Sequence, residues 1–212
     1  AIGKFALLAN TTGAFNTALG RNAGASNTTA SRNTFVGQSA GTTNTTGTSN
    51  VALGDNALLS NTTASNNTAI GKDALLANTT GANNVAIGSL TLDAATTATG
   101  NTAVGQGSMS TTTTGAANVA MGLSSLYSNT TGANNTALGY SSLFANTTGP
   151  SNTAIGINAG NGNTTAANNV YIGNEAGVSG VINATGGDGI YIGSFAHGTA
   201  TDSQAPIVIG YN

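Results

Sequence analysis

A glycine recurs through this chain at fixed spacing, and that spacing limits the fold more than any other feature. It closes an Ala-Ile-Gly element at Gly3, Gly20, Gly37, Gly54, Gly71, Gly88, Gly105, Gly122, Gly139, Gly156, Gly173, Gly193 and Gly210. Eleven of the twelve intervals are 17 residues, and the interval from Gly173 to Gly193 is 20. So short a period, held over 212 residues, means a solenoid or array rather than a globular enzyme.

Residues 67–83 are one copy, Asn-Thr-Ala-Ile-Gly-Lys-Asp-Ala-Leu-Leu-Ala-Asn-Thr-Thr-Gly-Ala-Asn, and its positions are numbered from Asn67. Position one is Asn from Asn16 to Asn169 and lapses at Gly189 and Pro206. Position four is always Ile, Leu, Val or Met. Position nine is often Leu, with Met109 and Gly among the others, and positions twelve to fifteen read Asn-Thr-Thr-Gly or close to it. Gly, Thr and Asn at this density are poor in helix interiors, and no apolar stripe of helical period persists. The pattern predicts an all-β chain, a parallel β-solenoid of about twelve coils. In each, Thr/Val-Ala-Ile forms one strand, Ala-Leu-Leu a second, and Asn-Thr-Thr-Gly a turn in which Gly takes positive φ. Residues 1–170 read as the regular array. Residues 171–212 read as a variant end of the same solenoid, with the three extra residues placed within Val178–Asp188.

Stacking places like residues in columns. The Asn columns predict amide ladders, each side chain donating to the next. With position four taken as the coil's core, strand alternation turns position three outward. That column is Ala18, Phe35, Ala52, Ala69, Ala86, Ala103, Ala120, Ala137, Ala154, Tyr171 and Tyr191. An outward apolar column predicts a surface for self-association; the alternative is a column kept small by crowding at a bend.

Only 5% of residues are charged, the net charge is -2 and there is no basic patch, so the electrostatic footprint of a nucleic-acid binder is missing. Cysteine is absent, which excludes disulfides and thiolate chemistry. No apolar run approaches the ~20 residues of a membrane span. The single His197 and the scattered Asp55, Asp73, Asp93, Glu175, Asp188 and Asp202 make no catalytic, metal or calcium-loop pattern, so neither enzyme nor cofactor is expected. Asn10, Asn27, Asn44, Asn61, Asn78, Asn129, Asn146 and Asn163 each begin an Asn-Thr-Thr acceptor pattern for N-glycosylation; the alternative is a ladder of turns. Both ends fall inside a repeat, which reads as a processed chain or a segment of a longer one.

Asn-Thr-Ala-Ile-Gly followed by Ala-Leu and Asn-Thr-Thr-Gly resembles the head repeats of YadA-like trimeric autotransporter adhesins, and in particular a 17-residue variant seen in phage tail-fibre-like proteins. The resemblance spans essentially the whole chain, although the period is typically shorter in adhesin heads. It implies a left-handed β-roll, a homotrimer and an extracellular or cell-surface location. The expected function is a non-enzymatic structural or adhesive solenoid. Its partners would be its own copies, as a trimer or an end-to-end filament, and a host or surface receptor. The alternative is an ice-binding solenoid using stacked Thr columns.

Overall fold

The computed structural model describes residues 1–178, 187–197 and 207–210. Among the described residues, twelve strands of three residues each form a single parallel sheet in strictly sequential order, from β1 (Thr17–Leu19) to β12 (Ile207–Ile209). The registers hold like against like: Ala69 pairs with Ala52 and Ala86, and Ile70 with Leu53 and Ile87. The last strands, β10 (Val170–Ile172), β11 (Ile190–Ile192) and β12, continue the sheet in register despite the longer interval between β10 and β11. The parallel β-solenoid is as the period predicts. Most of the segment assigned the insertion, and Asp202 with it, lie outside the described residues.

Each fully described coil has one strand, not two. Ala-Leu-Leu is a sequence of turns, because positions seven and nine both sit in the left-handed region: Asp73 at φ 58 and Leu75 at φ 51. A left-handed L-residue costs ~1–2 kcal/mol. Burial of the Leu side chain, worth about 1.5–3 kcal/mol, offsets it: Leu58, Leu75, Leu92, Leu126 and Leu143 are all fully buried. The turn backbone still finds partners along the axis, as in Leu58 N–H to the Ala74 carbonyl (2.9 Å) and Ser60 N–H to the Leu76 carbonyl (3.1 Å). Every coil is therefore knitted to its neighbours outside the sheet as well as within it.

The Asn-Thr-Thr-Gly turn also differs from expectation. Its Gly does not carry the positive φ; position seventeen does, as at Asn66 (φ 60) and Asn83 (φ 61). The glycine at position five is indispensable for a different reason. At Gly71, φ is +131 and a Cβ would lie 2.4 Å from the carbonyl oxygen of Gly88 in the next coil.

The inside and outside of the sheet are the reverse of the sequence reading. The middle residue of each strand points into the coil: Ala52, Ala69, Ala86, Ala103, Ala120, Ala137 and Ala154 are completely buried, and Ala18 nearly so. Position four faces out. The strand alternation is as expected, but hydrophobic size does not choose the inward face, because the interior is too narrow for two large columns. It holds Leu at position nine, so position three must be small. Phe35 and Tyr171 demonstrate the exchange. A Cβ at Gly41 would sit 2.3 Å from Cε1 of Phe35, and one at Gly24 2.6 Å from its Cδ2. Gly177 and Gly160 are equally close to Tyr171. At Phe35 and Tyr171, position nine gives up its side chain in the same coil and the one before. Tyr191 then stacks on Tyr171 at 5.3 Å within the interior.

Two buried Asn columns complete the core. At position twelve, Asn61 Nδ2 donates to Asn44 Oδ1 (2.7 Å) and to the Ala64 carbonyl (3.0 Å). At position one, Asn50 Nδ2 donates to the same Ala64 carbonyl (2.8 Å), and Asn50 Oδ1 accepts the backbone N–H of Asn67 (2.9 Å). One carbonyl per coil thus accepts from both Asn side chains, which satisfies polar groups that would otherwise be costly inside. The predicted amide ladders are present.

Candidate functional site

Because the Ala column is interior, the outer face of the sheet belongs to positions two and four. Position two is Thr or Val up to Val170, alternating from Thr34 to Thr136, and Ile at Ile190 and Ile207. Position four is aliphatic throughout, and Leu19, Leu53, Ile87, Met121 and Ile155 are each about 40% exposed or more, with Ile87 the least at 37%. No charged residue occupies either column of the sheet. At the ~4.8 Å strand spacing the face is ~53 Å long and, two residues across, ~7 Å wide. Its ~370 Å², Thr of position two included, is the size of the largest apolar patch on an ordinary monomer, which is often functional. Parallel sheets ordinarily have both faces covered, and this one is covered on one.

The residues assigned to an assembly surface therefore do not supply one. Ala18, Phe35, Ala52, Ala69, Ala86, Ala103, Ala120, Ala137, Ala154, Tyr171 and Tyr191 are interior, each 3% exposed or less. The apolar surface is one residue away on the same strands. The signal that identifies the face is in the sequence: aromatic residues at position three coincide with Gly at position nine in two separated places, Phe35 with Gly24 and Gly41, Tyr171 with Gly160 and Gly177. A column that exchanges volume with another column shares an interior with it.

The glycosylation candidates are likewise interior. Asn27, Asn44, Asn61, Asn78, Asn129, Asn146 and Asn163 are fully buried, and their Nδ2 groups are occupied by hydrogen bonds. Asn10, in the first coil, is half-buried and donates to the Gly13 carbonyl at 3.0 Å. An amide nitrogen held this way inside a folded coil has no room for a sugar, so the acceptor pattern is the turn ladder.

The two Thr of each turn differ. Position thirteen is half-buried in most coils, and its hydroxyl donates to the equivalent carbonyl one coil on, as in Thr62 to Thr79 (3.2 Å) and Thr79 to Thr96 (3.0 Å). Position fourteen is exposed, at Thr63, Thr80 and Thr97 for example. The water-facing array is thus a single Thr column, not a pair.

Among the described residues, no three His, Asp or Glu side chains stand close enough to hold a metal ion, and no helix is long and apolar enough to cross a membrane. His197 is half-buried at position nine of the coil begun by Gly189. The only ion pair among the described residues is Lys72 with Asp73 at 3.8 Å, on the coil exterior. No protein-family model, curated protein or solved structure matches the chain.

Proposed function

We propose that the chain is a non-enzymatic, extracellular structural and adhesive solenoid whose copies associate side by side through the outer face of the sheet. The observation that carries this reading is the uncharged aliphatic column of position four, exposed or part-exposed in every strand of the sheet beside Thr, Val and Ile at position two. A lone solenoid would do better with Thr, Lys or Glu there, since an open apolar face invites aggregation. Side-by-side packing covers the face along its length, whereas end-to-end stacking leaves it open. A homotrimer, the assembly that the resemblance implies, is the simplest closed arrangement in which each chain contributes this face. Copies held in parallel register would place like columns together and build a stiff rod, suited to a surface fibre.

The test is the triple variant Leu53→Lys, Ile70→Lys, Ile87→Lys. All three residues are at least part-exposed, so the coil survives and the β-sheet circular dichroism stays unchanged. Light scattering should then give the mass of a single chain. An unchanged assembly size would sink the proposal. The ice-binding alternative is less well supported, because the position-thirteen hydroxyls donate internally; thermal hysteresis in a freezing assay would revive it.

A further inference from the structure

The coils between residues 84 and 151 depart from the repeat in a concerted way. At position eight, where other coils bury Ala, they bury Thr91, Ser108, Ser125 and Ser142. At position ten they carry Asp93, Ser110, Tyr127 and Phe144. At position seven, Gly107 stands where its neighbours have Leu90 and Ser124. The position-twelve ladder also breaks here, at Ala95 and Thr112. Departures that give up internal order and gather on one side of a regular array are the pattern of a functional site.

The departures at positions seven and ten, Gly107, Ser110 and Tyr127, line a surface depression of about 200 Å³. Its apolar wall is Tyr127 with Leu90 and Leu123; Gln106, Ser110 and Ser124 supply polar groups. Phe144 stacks on Tyr127 with ring centroids 5.2 Å apart and planes 8° from parallel, which fixes the Tyr127 ring. The depression exists because position 107 has no side chain: a Cβ there would lie 3.7 Å from Cδ2 and Cε2 of Tyr127. Ser110 is held by donating to Asp93 Oδ1 at 2.6 Å, so its oxygen lone pairs are available as acceptors.

We infer that this depression is a binding site for a neutral hexopyranose ring, such as one unit of a surface glycan. The volume suits a single six-membered sugar. A fixed aromatic ring meets the apolar C–H face of a pyranose, while an amide and two hydroxyls meet its equatorial hydroxyl groups. No charged side chain lines the depression, and Asp93 behind Ser110 disfavours anionic sugars and phosphate. The inference rests on the adhesive reading only for its biological use, since it supplies the ligand class that an adhesive surface needs.

Saturation-transfer NMR with methyl glycosides of glucose, galactose and mannose, each at ~10 mM to suit the weak binding of a small ligand, tests it directly. At least one should receive saturation from the protein. The signal should fall by roughly tenfold or more in Gly107→Asn, which fills the depression. That substitution is compatible with the fold, because Asn22, Asn56 and Asn158 occupy the same position at the same left-handed φ. Gln106→Ala, at an exposed residue, should also weaken it. Absence of saturation for all three glycosides overturns the inference, as does a signal that persists in Gly107→Asn. Attachment of the whole protein to cultured cells before and after periodate oxidation separates the two claims. Attachment insensitive to periodate removes the sugar site from adhesion and leaves the adhesive reading standing.

Discussion

Replacing Ala95 by Asn should stabilise the protein. Position twelve forms a continuous amide ladder from Asn10 to Asn78, and then Ala95 interrupts it. The consequence is visible one coil earlier, where Asn78 Oδ1 is buried without a hydrogen-bond partner. A buried acceptor in that state costs ~1–3 kcal/mol. The backbone at Ala95 already matches the Asn coils: its N–H reaches the Leu92 carbonyl at 3.1 Å, as that of Asn78 reaches Leu75 at 3.2 Å. An Asn here would donate Nδ2 to Asn78 Oδ1 and to the Ala98 carbonyl, which now accepts from the Asn84 side chain. Its own Oδ1 would face the hydroxyl of Thr112, which in turn receives Asn129 Nδ2 at 3.4 Å. Two gained bonds at ~1 kcal/mol each, less the ordering of one short side chain, give a net gain of ~1–2 kcal/mol. For a chain of this length that is a rise in Tm of about 2–8 °C. Thermal melts followed by circular dichroism read the global effect. Hydrogen exchange at residues 78–98 reads the local one, which matters because repeat arrays do not always unfold in one step. A lower Tm, or faster exchange in those coils, would refute the view that the ladder is limited by its missing members.

The remaining expectations probe the two faces and the interior. Ala86→Lys and Ile87→Lys change adjacent residues, yet the first buries an unpaired charge and should abolish the native melt. The second should leave monomer stability within about 0.5 kcal/mol, as paired melts of the two variants would show. Phe35→Ala should cost about 3–5 kcal/mol by opening a cavity. Adding Gly24→Leu and Gly41→Leu should restore most of the loss in denaturant titrations by rebuilding the regular coil. Tyr171 is buried with its hydroxyl unpartnered among the described residues. Burial, and secondarily repulsion from Tyr191, raise its pKa well above the ordinary 10. Its folded pKa exceeds the unfolded one, so stability is intact below pH ~10 and falls above it, by up to ~1.4 kcal/mol per pH unit. Tyr171→Phe should reduce that slope in alkaline melts and add stability at neutral pH. With so few charges, ~1 M NaCl, where the Debye length is about 3 Å, should not dissociate the assembly in light scattering.

The period, the parallel stacking and the Asn ladders are legible in the sequence because each follows from repetition alone: like residues at one spacing must stack. Which face of the strand turns inward does not follow from hydrophobicity. Ile70 is more apolar than Ala69, yet Ala69 is interior, because a coil of 17 residues encloses room for one large side chain and Leu75 takes it. The expected second strand does not form, for a related reason. Leu75 and Asp73 adopt left-handed φ values that local preference disfavours, and only the packed stack compensates them. The glycosylation pattern looked available because Asn-Thr-Thr suits exposed turns; the turn is exposed, but its Asn points inward and its second Thr does not. The depression beside Tyr127 leaves a trace in the sequence, Gly107 at position seven and the altered positions eight, ten and twelve of the same coils, but its shape depends on rings one and two coils away.

The most direct test of the central claim, that the outer sheet face is covered by further copies of the chain, is the molar mass of the unmodified protein by light scattering across a wide dilution range. The account predicts a small closed multiple of 20.4 kDa that persists on dilution. A mass of 20.4 kDa at every concentration, with the aliphatic face open to water, would contradict it.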